Sequence, residues 1–140
     1  FRSLKEIPDI LSPDAVKLMM EMGHGDTLLI ADGNYPATTN NPRVIRADGH
    51  KLTDLLDAVL KLFPLDRVVD APVTLMSTGN NTKPPVWKQF EEIVERHEGG
   101  VQFGQLDRYP FYDAGAKAAG IIQSGDRALF GNIMLQKGTL

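Results

Sequence analysis

The residues best suited to proton transfer lie in a short glycine-rich segment, Gly23-His24-Gly25-Asp26. Imidazole is the side chain whose ordinary pKa lies nearest neutrality, so His24 is suited to giving and taking protons at physiological pH. The flanking glycines let the backbone turn sharply and leave the ring accessible. Asp26 is placed either to orient a ring nitrogen or to shape the turn, and the second role is the commoner one. The segment therefore suits a general acid or base at His24, and the local sequence leaves open the other interpretation, an exposed turn histidine without a catalytic role.

Asp32 is the second polar residue of interest because of what precedes it. The run Thr27-Leu28-Leu29-Ile30-Ala31 is almost entirely apolar, which is typical of a strand buried on both faces. Ligands of parallel sheets lie at the carboxyl ends of the strands, so Asp32 occupies a position where a ligand contact is expected. An ionised carboxylate only accepts hydrogen bonds, which suits it to hydroxyl groups. Asp before Gly33 is also a common turn residue, and the local sequence leaves both interpretations open.

A metal site or a phosphate loop are the rival interpretations of the same residues. A metal held by His24, Asp26 and Asp32 has weak support, because the chain has no Cys and no pair of His residues one helical turn apart. The glycine-rich segment precedes a predicted strand, whereas phosphate loops follow a strand and open a helix. The residues therefore favour neither a metal site nor a phosphate-binding loop.

The other candidate side chains have structural interpretations. His50 is predicted in a turn, and His97 is predicted to end a helix, where a cation complements the helix dipole. Trp87 falls on the apolar stripe of a helix and is expected in the core. Arg108 is a candidate ligand contact only through its neighbourhood beside Tyr109.

The elements that must position these residues alternate between helices and strands. Helices are predicted from Pro13, after the N-cap Ser12, to Gly23, from Leu52 to Phe63, around Trp87 to His97, and over Tyr112 to Ala119. Short apolar runs predict strands at 27–31, 44–45, 73–76, 121–122 and 133–135. This alternation predicts an α/β fold, a single layered domain over residues 1–140 with a largely parallel sheet flanked by helices.

Composition limits the class of protein. The chain has 140 residues, of which 42% are hydrophobic and 24% charged, as in an ordinary globular domain. A net charge of −3 provides no basic surface for nucleic acid or an anionic membrane. There is no Cys, no apolar run of transmembrane length and no apolar signal-peptide core at the first residues, so we expect a cytoplasmic protein.

Four segments, each weak alone, occur in an order and spacing that resemble a known family. They are Gly23-His24-Gly25-Asp26, Ile45-Arg46-Ala47-Asp48-Gly49, Arg108-Tyr109-Pro110-Phe111-Tyr112, and Gly131-Asn132-Ile133 followed by Lys137-Gly138. Together they resemble the fucose mutarotases, relatives of the D-ribose pyranases, from about Leu11 to Thr139. The resemblance implies an α/β fold, no cofactor, and ring-shaped homo-oligomers, often decamers, with active sites near subunit interfaces.

The resemblance also assigns site residues. His24 matches the catalytic His of the family, and Asp32 and Arg108 match its sugar-binding acid and arginine. The segment Phe130-Gly131-Asn132 matches a sugar-binding segment whose usual form is Tyr-Gly-Asn. Phe130 has no hydroxyl, so a possible proton relay is absent there, unless Tyr109 or Tyr112 supplies it.

The implied activity is exchange of the α and β anomers of L-fucose or a related sugar by ring opening and reclosure. D-ribose pyranase activity and a non-catalytic sugar-binding module are the alternatives, and a purely structural protein is a third. If the sugar interpretation holds, we expect His24, Asp32, Arg108 and Asn132 to converge on one cleft.

Overall fold

The computed structural model describes residues 4–140. The helices are α1 (Pro13–Glu21), α2 (Ala37–Asn40), α3 (Leu52–Leu62), α4 (Pro85–His97) and α5 (Arg108–Lys117). The strands are β1 (Thr27–Ala31), β2 (Val44–Ala47), β3 (Val73–Met76), β4 (Phe103–Leu106), β5 (Gly120–Ser124) and β6 (Ile133–Gln136).

The strands form one mixed six-stranded sheet in the order β2-β5-β1-β6-β3-β4. β1 pairs in parallel with β5, β5 with β2, and β3 with β4. β6 is inserted antiparallel between β1 and β3. Strands β1 to β5 therefore all run in one direction, as predicted for a largely parallel sheet, and β6 alone runs against them. The carboxyl ends of these five strands lie along the same side of the sheet. We call that side, which is crossed by the strand ends and is not an outermost strand, the carboxyl edge; the side where the same strands begin is the amino edge.

Helices cover both faces of the sheet. The larger apolar cluster packs α1, α3 and α4 against one face, which includes Leu28 and Ile30 of β1. The smaller cluster packs α2 and α5 against the other face, which includes Leu29 and Ala31. Alternate residues of β1 thus enter opposite clusters, which explains why its sequence is a continuous apolar run instead of an alternation with polar residues.

Most of the predicted elements are confirmed with ends that differ by one or two residues, and the beginning of the last helix is wrong by four. Ser12 is the N-cap of α1, and its hydroxyl accepts the Ala15 N–H at 3.2 Å. The last helix begins at Arg108, not after Pro110. Proline lacks only its own N–H, and the first N–H groups of a helix have no intrahelical partner, so Pro110 is tolerated in this first turn.

Two short elements and one side-chain partner were not predicted. β4 is an edge strand containing Gly104 and polar Gln105, so its sequence lacks the apolar run of the other strands. α2 is a single helical turn between β1 and β2, where the sequence predicted no helix. His97 does end α4, but its ring lies against Asp57 of α3, with 2.6 Å between Nε2 and Oδ1, so it joins two helices. Trp87 is buried, as predicted.

Replacing Asn41 with Ala should destabilise the fold. Asn41 is 3% exposed, and its amide group donates to the carbonyls of Gly115 and Ala118 at the carboxyl end of α5. Its Oδ1 also accepts the Arg43 N–H at 2.8 Å. Losing these bonds removes the Asn41 donor from the carbonyl of the buried Ala118 and leaves the Gly115 carbonyl only the Ala118 N–H, so we expect a loss of about 2–4 kcal/mol in the free energy of unfolding. Urea denaturation measures it, and the exposed Thr39→Ala is the control; equal stability of the two variants would contradict this assignment.

Candidate active site

His24 lies at the amino edge, in the turn between α1 and β1. The turn is closed by Asp26, whose Oδ2 accepts the Gly23 N–H at 2.8 Å, so Asp26 shapes the turn as expected for its position. Gly25 adopts φ +91°, a left-handed conformation that favours glycine, and its N–H donates to the carbonyl of Lys137. The end of β6 therefore holds this turn in place. The His24 side chain is 48% exposed, so its ring is accessible.

Asp66 is the direct partner of His24. Its Oδ1 lies 3.2 Å from His24 Nε2 and also accepts the Val68 N–H, while its Oδ2 accepts from Gln136 Nε2. The bond from the Val68 N–H, supported by those from His24 and Gln136, holds the pKa of the Asp66 carboxyl below its ordinary value, although desolvation opposes this. A buried carboxylate thus fixes the orientation of an accessible imidazole. We call His24, Asp66 and Gln136 the amino-edge cluster.

At the carboxyl edge, Asp32 is tied to the beginning of β6. Its N–H donates to Asn132 Oδ1 at 2.9 Å, and its Oδ2 accepts the Gly131 N–H at 3.3 Å. Oδ1 accepts the Asn34 N–H at 2.9 Å. Asp32 and Asn132 are each 4% exposed, so both are nearly covered in the single chain. We call Asp32, Phe130, Gly131 and Asn132 the carboxyl-edge cluster.

Phe130 belongs to the loop that joins β5 to β6. It is partly buried against the smaller apolar cluster, and it also lines a groove of about 1190 Å³ beside α3 and α4. Its backbone has φ +53°, unusual for a residue with a side chain. Its carbonyl oxygen accepts the indole N–H of Trp87 at 3.0 Å.

Arg108 begins α5 directly after Asp107, which follows β4, so it also lies at the carboxyl edge. Its side chain is exposed. The neighbouring Tyr109 is exposed, and its ring meets Tyr112 edge to face with 6.0 Å between centroids. Tyr112 in turn meets the ring of Tyr35, which follows Asp32 in the loop after β1.

The two clusters lie at opposite edges of the sheet. β1 has five residues, and at about 3.3 Å per residue it separates the turn of His24 from Asp32 by about 16 Å. One monosaccharide is too short to touch both from a single chain. The structure therefore brings together Asp32, Phe130, Gly131 and Asn132 and leaves His24 apart. Arg108 lies at the same carboxyl edge but follows β4, the third strand from β1 in the sheet. The expected convergence on one cleft does not occur within one chain.

Sequence reasoning missed Asp66 and Gln136 because nothing local marks them. Asp66 is 42 residues from His24, and the two meet only because both pack beside the end of β6. The backbone records this: the Asp66 N–H donates to the carbonyl of Gln136 at 3.0 Å, next to the bond from Gly25 to Lys137.

Within residues 4–140, no group of three or more His, Asp or Glu side chains is arranged to hold a metal ion. None of the helices in that range is long and apolar enough to cross a bilayer.

Comparison with known proteins gives consistent matches over almost the whole chain. The model of the RbsD / FucU transport protein family matches residues 5–140. The fucose mutarotase of Mus musculus is 38% identical over 146 residues, covering 99% of this chain and 95% of that protein. The crystal structure of the fucose mutarotase from Streptococcus pneumoniae in complex with L-fucose is 38% identical, with a TM-score of 0.91 over 98% of this chain and 99% of that one. FucU from Bifidobacterium longum is 41% identical, with a TM-score of 0.92 over 97% and 99% of the two chains.

The pKa of Asp32 should lie above that of an ordinary aspartate. Burial raises it, and the N–H groups of Asn34, Gly131 and Tyr35 offset this only in part. The folded protein then holds this proton more tightly than the unfolded chain, so the contribution of Asp32 to stability falls as pH rises between the ordinary and the raised pKa. Carbon-13 NMR titration of the carboxyl measures the pKa, and denaturation of the wild type and Asp32→Asn across mildly acidic pH measures the linkage. A midpoint at or below the ordinary value contradicts the assignment.

Proposed function

Because the chain belongs to the RbsD / FucU family, we propose that it is a monosaccharide mutarotase that interconverts the α and β anomers of L-fucose. The observation that carries this proposal is its close similarity, in sequence and in fold, to fucose mutarotases over nearly its full length. The pairing of His24 with Asp66 supplies a group suited to the chemistry.

The reaction needs two proton movements. A base removes the proton of the anomeric hydroxyl while an acid protonates the ring oxygen, the bond from C1 to that oxygen breaks, and the open-chain aldehyde forms. After rotation about the bond from C1 to C2, the ring hydroxyl attacks the other face of the carbonyl and the proton roles reverse. Both steps suit a group that titrates near neutrality, with water or a second residue serving the other proton.

His24 is our candidate for one of these protons, and Asp66 orients it. A carboxylate that stays ionised accepts from Nε2–H, which leaves Nδ1 as the nitrogen free to take or give a proton. The negative charge of Asp66 also stabilises the imidazolium that forms when His24 accepts a proton. The exposure of the His24 ring gives a sugar access to it.

The carboxyl-edge cluster and Arg108 are our candidates for binding the sugar. Carboxylate and amide oxygens at Asp32 and Asn132 suit sugar hydroxyls, and the Arg108 guanidinium offers donors only. Phe130 presents an apolar ring at this edge, where a tyrosine would present a hydroxyl. The exposed Tyr109 is the nearest candidate in sequence to Arg108 for supplying such a hydroxyl instead.

A complete site on this proposal takes residues from two chains. Since His24 and Asp32 lie at opposite edges of one sheet, the His24 of one chain must meet the carboxyl-edge cluster of its neighbour. Head-to-tail contacts of this kind form a ring when the rotation between neighbouring chains closes. The decameric ring and the cytoplasmic location expected from the sequence belong to the same proposal, and native mass spectrometry measures the number of chains directly.

His24→Ala should abolish catalysed anomer exchange, and Asp66→Asn should slow it by about a hundredfold, because the first removes the proton carrier and the second its orienting charge. Saturation-transfer NMR on L-fucose measures the exchange rate. His50→Ala is the matched control, since His50 is an exposed histidine that belongs to neither cluster, and it should keep wild-type activity.

Each outcome of that assay decides between functions. Full exchange in His24→Ala eliminates His24 as the catalyst. Exchange between pyranose and furanose forms of D-ribose, with none on L-fucose, assigns pyranase activity instead. Saturable binding of sugar to the wild type, with no rate enhancement for any sugar, identifies a non-catalytic binding module.

Mixing two inactive variants should restore activity if the site is shared. His24→Ala retains the carboxyl-edge cluster and Asp32→Ala retains His24, so mixed oligomers contain some interfaces with both residues intact. With random assembly, about a quarter of the interfaces are intact, and the mixture should recover that share of wild-type exchange. Co-expression with two affinity tags isolates the mixed assemblies. Recovery of no activity would show that each site draws His24 and Asp32 from the same chain.

A further inference from the structure

One peptide group at the carboxyl edge is held at both ends. The carbonyl oxygen of Phe130 and the N–H of Gly131 belong to the same planar peptide unit. The oxygen accepts the indole N–H of Trp87 at 3.0 Å, and the N–H donates to Asp32 Oδ2 at 3.3 Å. Trp87 comes from α4 on one face of the sheet, and Asp32 from the end of β1. Rotation of this peptide would break both hydrogen bonds.

This peptide needs such support because its backbone is unusual. Phe130 has φ +53°, a left-handed backbone conformation that residues other than glycine rarely adopt. Unfavourable conformations of this kind persist only where the surrounding structure determines them. Gly131 has no room for a side chain, since a Cβ there would overlap Leu52 Cδ1 and lie 3.1 Å from the carbonyl of Ala128.

We propose that Trp87 is a positioning residue of the sugar site, whose indole N–H fixes the Phe130–Gly131 peptide and thereby aims Phe130 and Asn132 at the sugar. This inference rests on the proposed function, which places the sugar against these two residues. The competing interpretation is that Trp87 only fills the core, where it is 4% exposed among the residues of the larger apolar cluster. A core role requires the ring but not the N–H, so the two roles are separable.

Trp87→Phe separates them, because it keeps an aromatic ring and removes the donor. We expect kcat/KM for L-fucose to fall about tenfold, the share that one hydrogen bond at a binding site commonly carries, with a larger rise in KM than fall in kcat. Val94→Ala is the matched control, since Val94 is 1% exposed on the same helix and in the same cluster. It should lower the melting temperature without changing KM. Equal kinetic constants in the two variants would overturn the proposal.

Amide hydrogen exchange tests whether Trp87 holds the Phe130–Gly131 peptide, and it does not rely on activity. In the wild type the Gly131 N–H is protected from exchange by its hydrogen bond to Asp32. In Trp87→Phe this N–H should exchange at least several-fold faster. In Val94→Ala its exchange rate should change no more than the rates of the neighbouring N–H groups do. Unchanged exchange at Gly131 in Trp87→Phe overturns the proposal, as does faster exchange with unaltered sugar kinetics. If the wild type turns over no sugar, the proposed function fails, and Gly131 exchange still decides whether Trp87 holds the peptide.

The chain has a single tryptophan, so the indole N–H gives one assignable NMR signal. Adding L-fucose should shift this signal in the wild type, because sugar seated on Phe130 perturbs the carbonyl that the indole contacts. Glycerol, a small polyol without a ring, is the control and should leave it unchanged. A signal that stays fixed while L-fucose is turned over would place the sugar away from Phe130 and overturn the inference.

Discussion

The antiparallel pairing of β6 with β1 and β3 is the constraint on which both candidate clusters depend. The beginning of β6 supplies Gly131 and Asn132 to Asp32 at the carboxyl edge. Its end supplies Gln136 to Asp66 and the carbonyl of Lys137 to the turn of His24 at the amino edge. A parallel strand in the same place would reverse these ends. One strand therefore organises the amino-edge cluster and the carboxyl-edge cluster, and it also keeps them apart.

The physical chemistry of the two edges differs in a way that suits a division of roles. At the amino edge, hydrogen bonds from Val68, His24 and Gln136 keep Asp66 ionised, and its charge is directed at an accessible imidazole. At the carboxyl edge, burial raises the pKa of Asp32, and both of its carboxylate oxygens accept backbone N–H groups. Asp32 thus first organises the loop around Phe130, and any sugar contact uses its remaining acceptor capacity.

Sequence and structure agree best for those helices and strands whose burial leaves a periodic apolar pattern in neighbouring residues. The strand Thr27–Ala31 and the helix from Leu52 were predicted because burial on a repeating face leaves a periodic apolar pattern. β4 escaped prediction because an edge strand with glycine and glutamine carries no such pattern. The early start of α5 was hidden by Pro110, which ends a helix in most positions but not in its first turn.

The sequence by itself determined most of the helices and strands, the accessible His24 in a glycine turn, and the position of Asp32 after a buried strand, since these depend on local backbone freedom and apolar spacing. Only the tertiary structure decided that Asp66 orients His24, that Trp87 meets Phe130, and that β1 separates His24 from Asp32. Each of these depends on pairing between segments that lie far apart in the chain. Local patterns specify which face of an element is buried, but they do not specify which distant backbone groups the sheet brings beside it.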